Sequence, residues 1–241
     1  MKAAGPVLSI VVPCFNEEPS LAKLLEGFAA GGTGGPFELL LVDNGSTDGT
    51  DRALRRLAAE PRYAFARSIR LPENLGYGGG IRAGLEAARG QFLAWTHADL
   101  QCDPADVFAA FDAILASRDP QKTLVKGLRR RRAFVAELTT RGMHTVARFV
   151  LQKPFRDING QPKVFHRSLL RALVRPPSDL SFDLYVLNQA MALGWSIATI
   201  PVVVGSRPHG RSKWATSWLS RCRHVASALR YMVRLRRESA P

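Results

Sequence analysis

Cysteine is scarce in this sequence: Cys14, Cys102 and Cys222 are odd in number and their spacing fits no metal-ligand pattern. That argues against a disulfide framework and leaves a reducing compartment as the expected surroundings, with no chemistry assigned to the thiols. Long hydrophobic runs are missing too. A spanning helix needs about 20 consecutive apolar residues, whereas the most apolar stretch, SIATIPVVVG, is short, rich in β-branched residues and interrupted by Pro201. The opening residues MKAAGPVLSIVVPCF lack the apolar core and small-residue cleavage site of a signal peptide and read as a lead into a strand, so a cytoplasmic protein is expected. Neither an internal repeat nor a low-complexity tract is present. Acidic residues are thin in one half only. Residues 121–241 hold 23 Lys/Arg against 5 Asp/Glu, while residues 1–120 hold 11 against 15, so the whole net charge of +14 lies in the second half. Such a division fits an anionic partner for that half, either lipid headgroups, a phosphorylated acceptor or nucleic acid; the plainer alternative is a set of solvated arginine-rich faces. No aromatic-interleaved platform accompanies the basic residues, so nucleic acid is not expected.

What is present is enough for one main domain: 241 residues, 46% of them hydrophobic. Strand-like runs alternate with helix-period segments. LSIVVP is followed by a helix from about Ser20, FELLLVD by a helix from about Thr50, RSIRLP by a glycine-rich loop and a helix to about Arg89, and FLAWT by a helix from Pro104. This βαβαβαβα order predicts an α/β fold, a mostly parallel sheet with right-handed crossovers and helices on both faces. In such sheets ligands bind at the carboxyl ends of the strands. Four loops then face one crevice: Pro13 to Glu17, Asp43 to Asp48, Asn74 to Gly80 and His97 to Gln101. Beyond TLVKG the pattern is less regular, with a helix over 134–151, the loop KPFRDINGQP, the strand KVF, a helix around 182–193 and the strand SIATIPVVV. Residues 214–237 read as one amphipathic helix. Trp214, Trp218, Leu219, Cys222, Val225, Ala226, Leu229, Met232 and Val233 share an arc bordered by arginines, suited to a membrane interface or to docking on the domain. The expected division is a catalytic domain over 1–205 and a basic acceptor loop with the C-terminal helix over 206–241.

Each loop carries candidate chemistry. VVPCFNEE ends a strand at Pro13 and sets Asn16, Glu17 and Glu18 before a helix, where acidic side chains also suit the helix dipole. In VDNGSTDGT, Asp43 stands at a strand end in a loop able to reach the hydroxyls or base edge of a ligand. ENLGYGGGIRAG is glycine-dense before a helix and would admit a phosphate at the helix N-terminus. It is not G-x-G-x-x-G, and no acidic partner follows about 20 residues on, so a dinucleotide enzyme is not expected. In FLAWTHADLQCDP, extended geometry would point His97, Asp99 and Gln101 the same way. Asp and Gln oxygens suit Mg²⁺ or Mn²⁺ shared with a phosphate, and His97 favours Mn²⁺. Asp103 and Pro104 account for the following helix start, which leaves Asp99 for another task.

Taken together and in order, VVPCFNEE, VDNGSTDGT, NLGYGGGIRAG, HADLQ, DINGQPKVF, FDLYVLNQAMALGWSIATIPV and RPHGRSKW cover nearly the whole chain. On these motifs the sequence resembles glycosyltransferase family 2, with its GT-A fold, and within it the polyprenol-phosphate mannose or glucose synthases. The resemblance implies that Pro13, Glu17 and Asp43 hold the base and ribose of a nucleotide, with Asn16, Asn44, Gly76, Gly79 and Ala98 in the same donor site. It implies that Asp99 and Gln101 hold a divalent metal, Mn²⁺ or Mg²⁺, on the diphosphate, with His97 beside them. Two positions depart from the family pattern: His97-Ala98-Asp99 stands where D-x-D is usual, and Asp43-Asn44-Gly45 where D-D-G is usual. Activity is still expected, since Asp99 and Gln101 are present.

The expected reaction moves a sugar, with inversion, from a nucleotide-diphosphate sugar to a polyprenyl phosphate at the inner membrane face, the protein being peripherally bound to anionic lipid, with a separate anchoring protein as a further candidate partner. A phosphate acceptor is already anionic and needs little general-base help. Lys126, Arg129 and Arg131, and Arg207, Arg211, Ser212 and Lys213, are the candidates for the two phosphate groups. Asp183 in FDLY matches the acidic position of F-D-x-E, as a weak base or a structural partner, although Tyr185 replaces the following Glu. The competing readings are a hydroxyl acceptor, which would need a true base, and a non-catalytic nucleotide- or lipid-binding module.

Overall fold

The first 115 residues repeat one move, a short strand, a loop and a helix with one apolar stripe, and that repetition lays down four of the seven strands of a single sheet. The computed structural model describes residues 5–32, 35–130, 145–208 and 218–238. Its strands are β1 (Leu8–Cys14), β2 (Phe37–Asn44), β3 (Ala66–Leu71), β4 (Phe92–Trp95), β5 (Thr123–Arg130), β6 (Lys163–His166) and β7 (Ser196–Val203), in the order β3-β2-β1-β4-β6-β5-β7. Among them only β6 runs against its neighbours, antiparallel to both β4 and β5; the other pairs are parallel.

The helices are α1 (Leu21–Gly31), α2 (Thr50–Ala58), α3 (Gly76–Ala87), α4 (Ala105–Leu115), α5 (helical residues 145–151), α6 (Phe182–Ala192) and α7 (Trp218–Glu238). Strand alternation decides which helices cover which face. Leu8, Ile10 and Val12 of β1 with Leu39 and Leu41 of β2 pack against α1, α2 and α4. Val11, Leu40 and Val42 point the other way, into a core shared with α3, α5, α6 and α7. Both faces are thus covered, as the near-continuous apolar β1 and β2 require.

The C-terminal helix departs from the expected arc. Tyr231, Met232 and Leu235 are buried with Ala147, Leu151 and Phe155, whereas Leu229 and Val233 are 36% and 45% exposed. Docking against α5 selects that stripe, and Leu229 and Val233 beside it face solvent. Of the expected arc, Trp214 and the side chains of Trp218, Leu219, Cys222 and Val225 lie outside the described residues.

The carboxyl ends of β1 to β5 and β7 share one edge of the sheet, and because β6 is reversed its first residue, Lys163, arrives at the same edge. The crevice therefore draws on more loops than the four the sequence pattern suggested.

Candidate functional site

At one end of the crevice the loops after β1 and β2 are tied together. Asn16, held at φ +56°, donates its backbone N–H to Ser46 Oγ at 3.0 Å and accepts from the Thr47 N–H on Oδ1 at 2.8 Å. The Glu17 N–H donates to Thr50 Oγ1 at 2.9 Å. Asp43 is 1% exposed. Its Oδ1 accepts from the Ser46 N–H at 2.9 Å, but among the described residues Oδ2 has no hydrogen-bond partner. The nearest cation, Arg70 Nη1, is 3.9 Å away and is drawn instead to Asp51. A buried carboxylate oxygen with unused accepting capacity beside Pro13 fits an N–H or O–H brought by a ligand.

Asn44 uses both ends of its amide on the glycine-rich loop. Nδ2 donates to Gly76 O at 2.9 Å and Oδ1 accepts from the Leu75 N–H at 3.0 Å. An aspartate could make only the second bond. The expected phosphate position at the start of α3 is filled by protein: the N–H groups of Gly78 and Gly79 donate to Ser178 O at 2.7 and 3.3 Å, and that of Gly76 to Asn74 Oδ1 at 2.8 Å. The glycines serve this close approach. Gly76 has φ +78°, and a Cβ there would lie 2.5 Å from Ser178 O, while one on Gly78 would lie 2.3 Å from Pro177 O. Orphan N–H groups of a helix start need acceptors; here a neighbouring carbonyl supplies one, which corrects the expectation of an open anion site at Gly76 and Gly79.

The loop after β4 also differs from its expected geometry. β4 stops at Trp95 and Leu100 takes φ +57°, so side chains do not alternate through residue 101. Asp99 and Gln101 converge on Arg207, and His97 is hydrogen-bonded to Tyr77. Asp99, 4% exposed, accepts on Oδ2 from Arg207 Nη2 at 2.6 Å and on Oδ1 from the Gln101 N–H at 3.1 Å. Gln101 Oε1 accepts from Arg207 Nε at 3.3 Å. Its amide nitrogen donates to Gly205 O at 3.2 Å, and the Gly205 N–H donates to Gln101 O at 2.9 Å. Two hard oxygens thus face one positive group. No cluster of three or more His, Cys, Asp or Glu among the described residues is arranged for a metal, so the pair fits a divalent cation that takes its remaining ligands from a phosphate or water. Ala98 is buried in the core shared with α1, α2 and α4.

His97 meets the Tyr77 hydroxyl with Nε2 at 3.2 Å. The Tyr77 proton is directed at Asp183 Oδ2, 3.1 Å away, so the phenol oxygen accepts and the imidazole proton is assigned to Nε2. Burial holds the imidazole below its ordinary range, against the pull of Asp99 and Asp183. His97 is therefore a neutral link between the metal-type loop and a deeper network.

That network centres on Asp183, which forms a 2.7 Å ion pair with Lys163; both are essentially inaccessible. Trp95 Nε1 donates to Asp183 Oδ1 at 3.2 Å, and the Gln161 amide lies 2.9 Å from the Tyr77 hydroxyl. Lys126 Nζ is buried too, donating to Gly127 O at 2.9 Å and Arg156 O at 3.2 Å. Burial, with the charge of Lys163, pulls its ammonium down to about 7. Arg129 is paired with Asp157 through Nε at 2.9 Å and through its backbone N–H at 2.8 Å. Burial works against that carboxylate, yet the Arg129 guanidinium holds it below its ordinary range. Lys126 and Arg129, expected on a phosphate, are both engaged by protein groups. Arg131, Arg211, Ser212 and Lys213 lie outside the described residues.

Tyr77 and Lys163 were not legible as site residues. A lysine opening a short apolar strand is the only local signal, and its partner lies 20 positions away on a helix.

The description of glycosyl transferase family 2 matches residues 9–174. An uncharacterised glycosyltransferase of Mycobacterium tuberculosis is 31% identical over 215 residues, 87% of this chain and 90% of its own length. The dodecaprenyl-phosphate galacturonate synthase of Rhizobium johnstonii is 42% identical over 102 residues, covering 42% of this chain and 30% of that protein. An undecaprenyl-phosphate 4-deoxy-4-formamido-L-arabinose transferase of Edwardsiella ictaluri is 25% identical over 86% of this chain and 62% of its own. The alignments with these two lipid-phosphate relatives thus span less than two thirds of their length. Among solved structures, glucosyl-3-phosphoglycerate synthase of Mycobacterium tuberculosis with Mn²⁺, UDP and glucosyl-3-phosphoglycerate superposes with TM-score 0.73 at 22% identity, over 96% of this chain and 80% of that one. A Pyrobaculum calidifontis mannosyltransferase with GDP-Man and Mn²⁺ gives 0.68 at 24%, over 96% and 65%. The superpositions bear on the fold, and the family match and the mycobacterial relative bear on descent: the chain belongs to glycosyl transferase family 2 and is a glycosyltransferase of the GT-A fold.

Proposed function

We propose that this enzyme transfers a sugar, with inversion at the anomeric carbon, from a nucleotide-diphosphate donor to the phosphate of a polyprenyl lipid at the cytosolic face of a membrane. The observation that carries the acceptor class is the ion pair between Lys163 and Asp183. A hydroxyl acceptor must lose a proton as it attacks, which needs a positioned base. Asp183 is poorly placed for that, with Oδ1 engaged by Lys163 and Trp95 and Oδ2 by Tyr77. A phosphate monoester is an anion near neutral pH and attacks without such help. Its oxygen forms the new bond to the anomeric carbon while the bond to the diphosphate breaks and the diphosphate leaves with the electron pair. The names of the Rhizobium and Edwardsiella relatives, both acting on polyprenyl phosphates, support the same class.

On the donor side, the open oxygen of Asp43 and the tied loops bearing Pro13, Asn16 and Glu17 suit the nucleoside. Asp99 and Gln101 would hold Mn²⁺ or Mg²⁺, whose contribution when bound is to neutralise charge on the leaving diphosphate. The chain's own part is alignment: Gly205 holds the Gln101 side chain with its oxygen beside that of Asp99.

The test supplies purified enzyme with radiolabelled nucleotide sugars, either polyprenyl phosphate or polyprenol, and either Mn²⁺ or chelator. Label should enter the organic phase with the phosphate acceptor and metal, and Asp99→Ala should lose it. Transfer to polyprenol or to a soluble hydroxyl acceptor, with none to the lipid phosphate, would sink the acceptor assignment.

A further inference from the structure

Arg207 reaches the crevice from beyond β7 and puts its guanidinium across both oxygens that would face a metal, Asp99 Oδ2 at 2.6 Å and Gln101 Oε1 at 3.3 Å. The reach is long in sequence but tightly guided, since the Gly205 N–H and C=O are both bonded to Gln101. Asp99 is 4% exposed, and a buried carboxylate without a counter-charge costs several kcal/mol. Some cation must stand there whether or not a metal does.

Resting on the divalent-metal reading above, we infer that Arg207 is the resident counter-ion of the metal-free enzyme, and that it and a bare divalent cation exclude each other at Asp99 and Gln101. The charge balance gives the exclusion a direction. A bare divalent cation against one carboxylate leaves that locus net positive, and a guanidinium alongside repels it. A cation arriving with the diphosphate of a nucleotide sugar has its charge already balanced, and the displaced guanidinium then has phosphate oxygens to bind in place of Asp99. Arg207 therefore opposes metal alone and favours metal with diphosphate, which loads the donor as one unit and keeps the oxygen pair shielded between turnovers.

The experiment measures free Mn²⁺ by electron paramagnetic resonance during titration of wild-type enzyme, Arg207→Ala, Arg207→Lys and Asp99→Ala, then repeats it with GDP or UDP present. Arg207→Ala should bind Mn²⁺ alone about tenfold more tightly than wild type and bind the nucleotide diphosphate at saturating Mn²⁺ several-fold more weakly, with Arg207→Lys between. Added Mn²⁺ should also raise the melting temperature of Arg207→Ala more than that of wild type, a readout independent of turnover. Mn²⁺ binding that is lost in Asp99→Ala but no tighter in Arg207→Ala leaves the metal reading standing and overturns the inference. Absence of Mn²⁺ binding in every variant, with nucleotide or without, overturns both.

Discussion

A lysine with none of its side chain exposed persists in this fold because Asp183 lies 2.7 Å away. Breaking such a pair by removing one member leaves the other charge buried and costs about 3–5 kcal/mol, whereas replacing both with apolar groups is often nearly neutral. Lys163→Met should therefore lower stability by that amount in urea unfolding, and Lys163→Met with Asp183→Leu should recover most of it. Recovery of less than half would mean that Tyr77 and Trp95, which also bond Asp183, carry more of the network than the ion pair does. Lys126 makes a pH prediction. Its folded-state value is about 7 against an ordinary 10.5, so between those limits the unfolded chain holds a proton that the folded chain has released. Stability then rises with pH through that window. Lys126→Met removes the dependence, and its gain in melting temperature over wild type should be larger at pH 6 than at pH 9 by a few degrees, given that ~1 kcal/mol moves a domain of this size by about 2–4 °C. An equal gain at both values would contradict the depressed lysine.

At the scale of elements, the carboxyl end of β2 and the start of α3 are joined through one side chain, Asn44. The resemblance to the wider family would restore aspartate there. Asn44→Asp removes the donor to Gly76 O, sets an oxygen against that carbonyl and adds charge beside Asp43, so it should destabilise by about 1–3 kcal/mol in chemical denaturation. A neutral outcome would show that the loop is held from Ser178 alone. The same elements show what a sequence can disclose. The first four strands and helices were readable because apolar residues recur with periods of two and 3.6, and burial in the interior requires those periods. The common edge of the loops followed from the parallel order. The direction of β6 was not readable, since a four-residue strand, KVFH, carries no mark of its orientation. The orientation of His97 was hidden by the end of the strand: β4 stops at Trp95, so the alternation on which any strand argument depends does not extend to it. The docked stripe of α7 escaped for another reason, since an amphipathic helix advertises an apolar face without saying which of two adjacent stripes its neighbour will take.

Across the whole molecule the charge division acquires a location. On α5 and α7, Phe149 is 84% exposed and stands with Val150 over an open cavity also lined by Arg148 and Arg236, while Leu229 and Val233 lie between Arg230, Arg236 and Arg237 on the outer side of α7. Apolar side chains bordered by arginines suit the headgroup layer of an anionic bilayer, where each basic residue contributes about 1 kcal/mol. Phe149→Asp combined with Val233→Asp should weaken co-sedimentation with vesicles containing phosphatidylglycerol by at least tenfold and leave soluble nucleotide binding unchanged. Binding equal to wild type would rule these residues out as a membrane-contacting surface. No helix among the described residues is long and apolar enough to cross a membrane.

The order of the strands also has a history in time. β3, β2, β1 and β4 can assemble from the first 95 residues, but β4 acquires its second neighbour only when β6 emerges, and Asp99 meets Arg207 only 108 residues after itself. At synthesis rates of about 5–20 residues per second, that is an interval of roughly 5–20 s. During it the nascent chain carries a half-built sheet with the β4 edge open and an acidic pocket lacking its arginine, so the ribosome releases the two halves of the crevice in sequence: β6 covers β4, and the segment after β7 brings the arginine last.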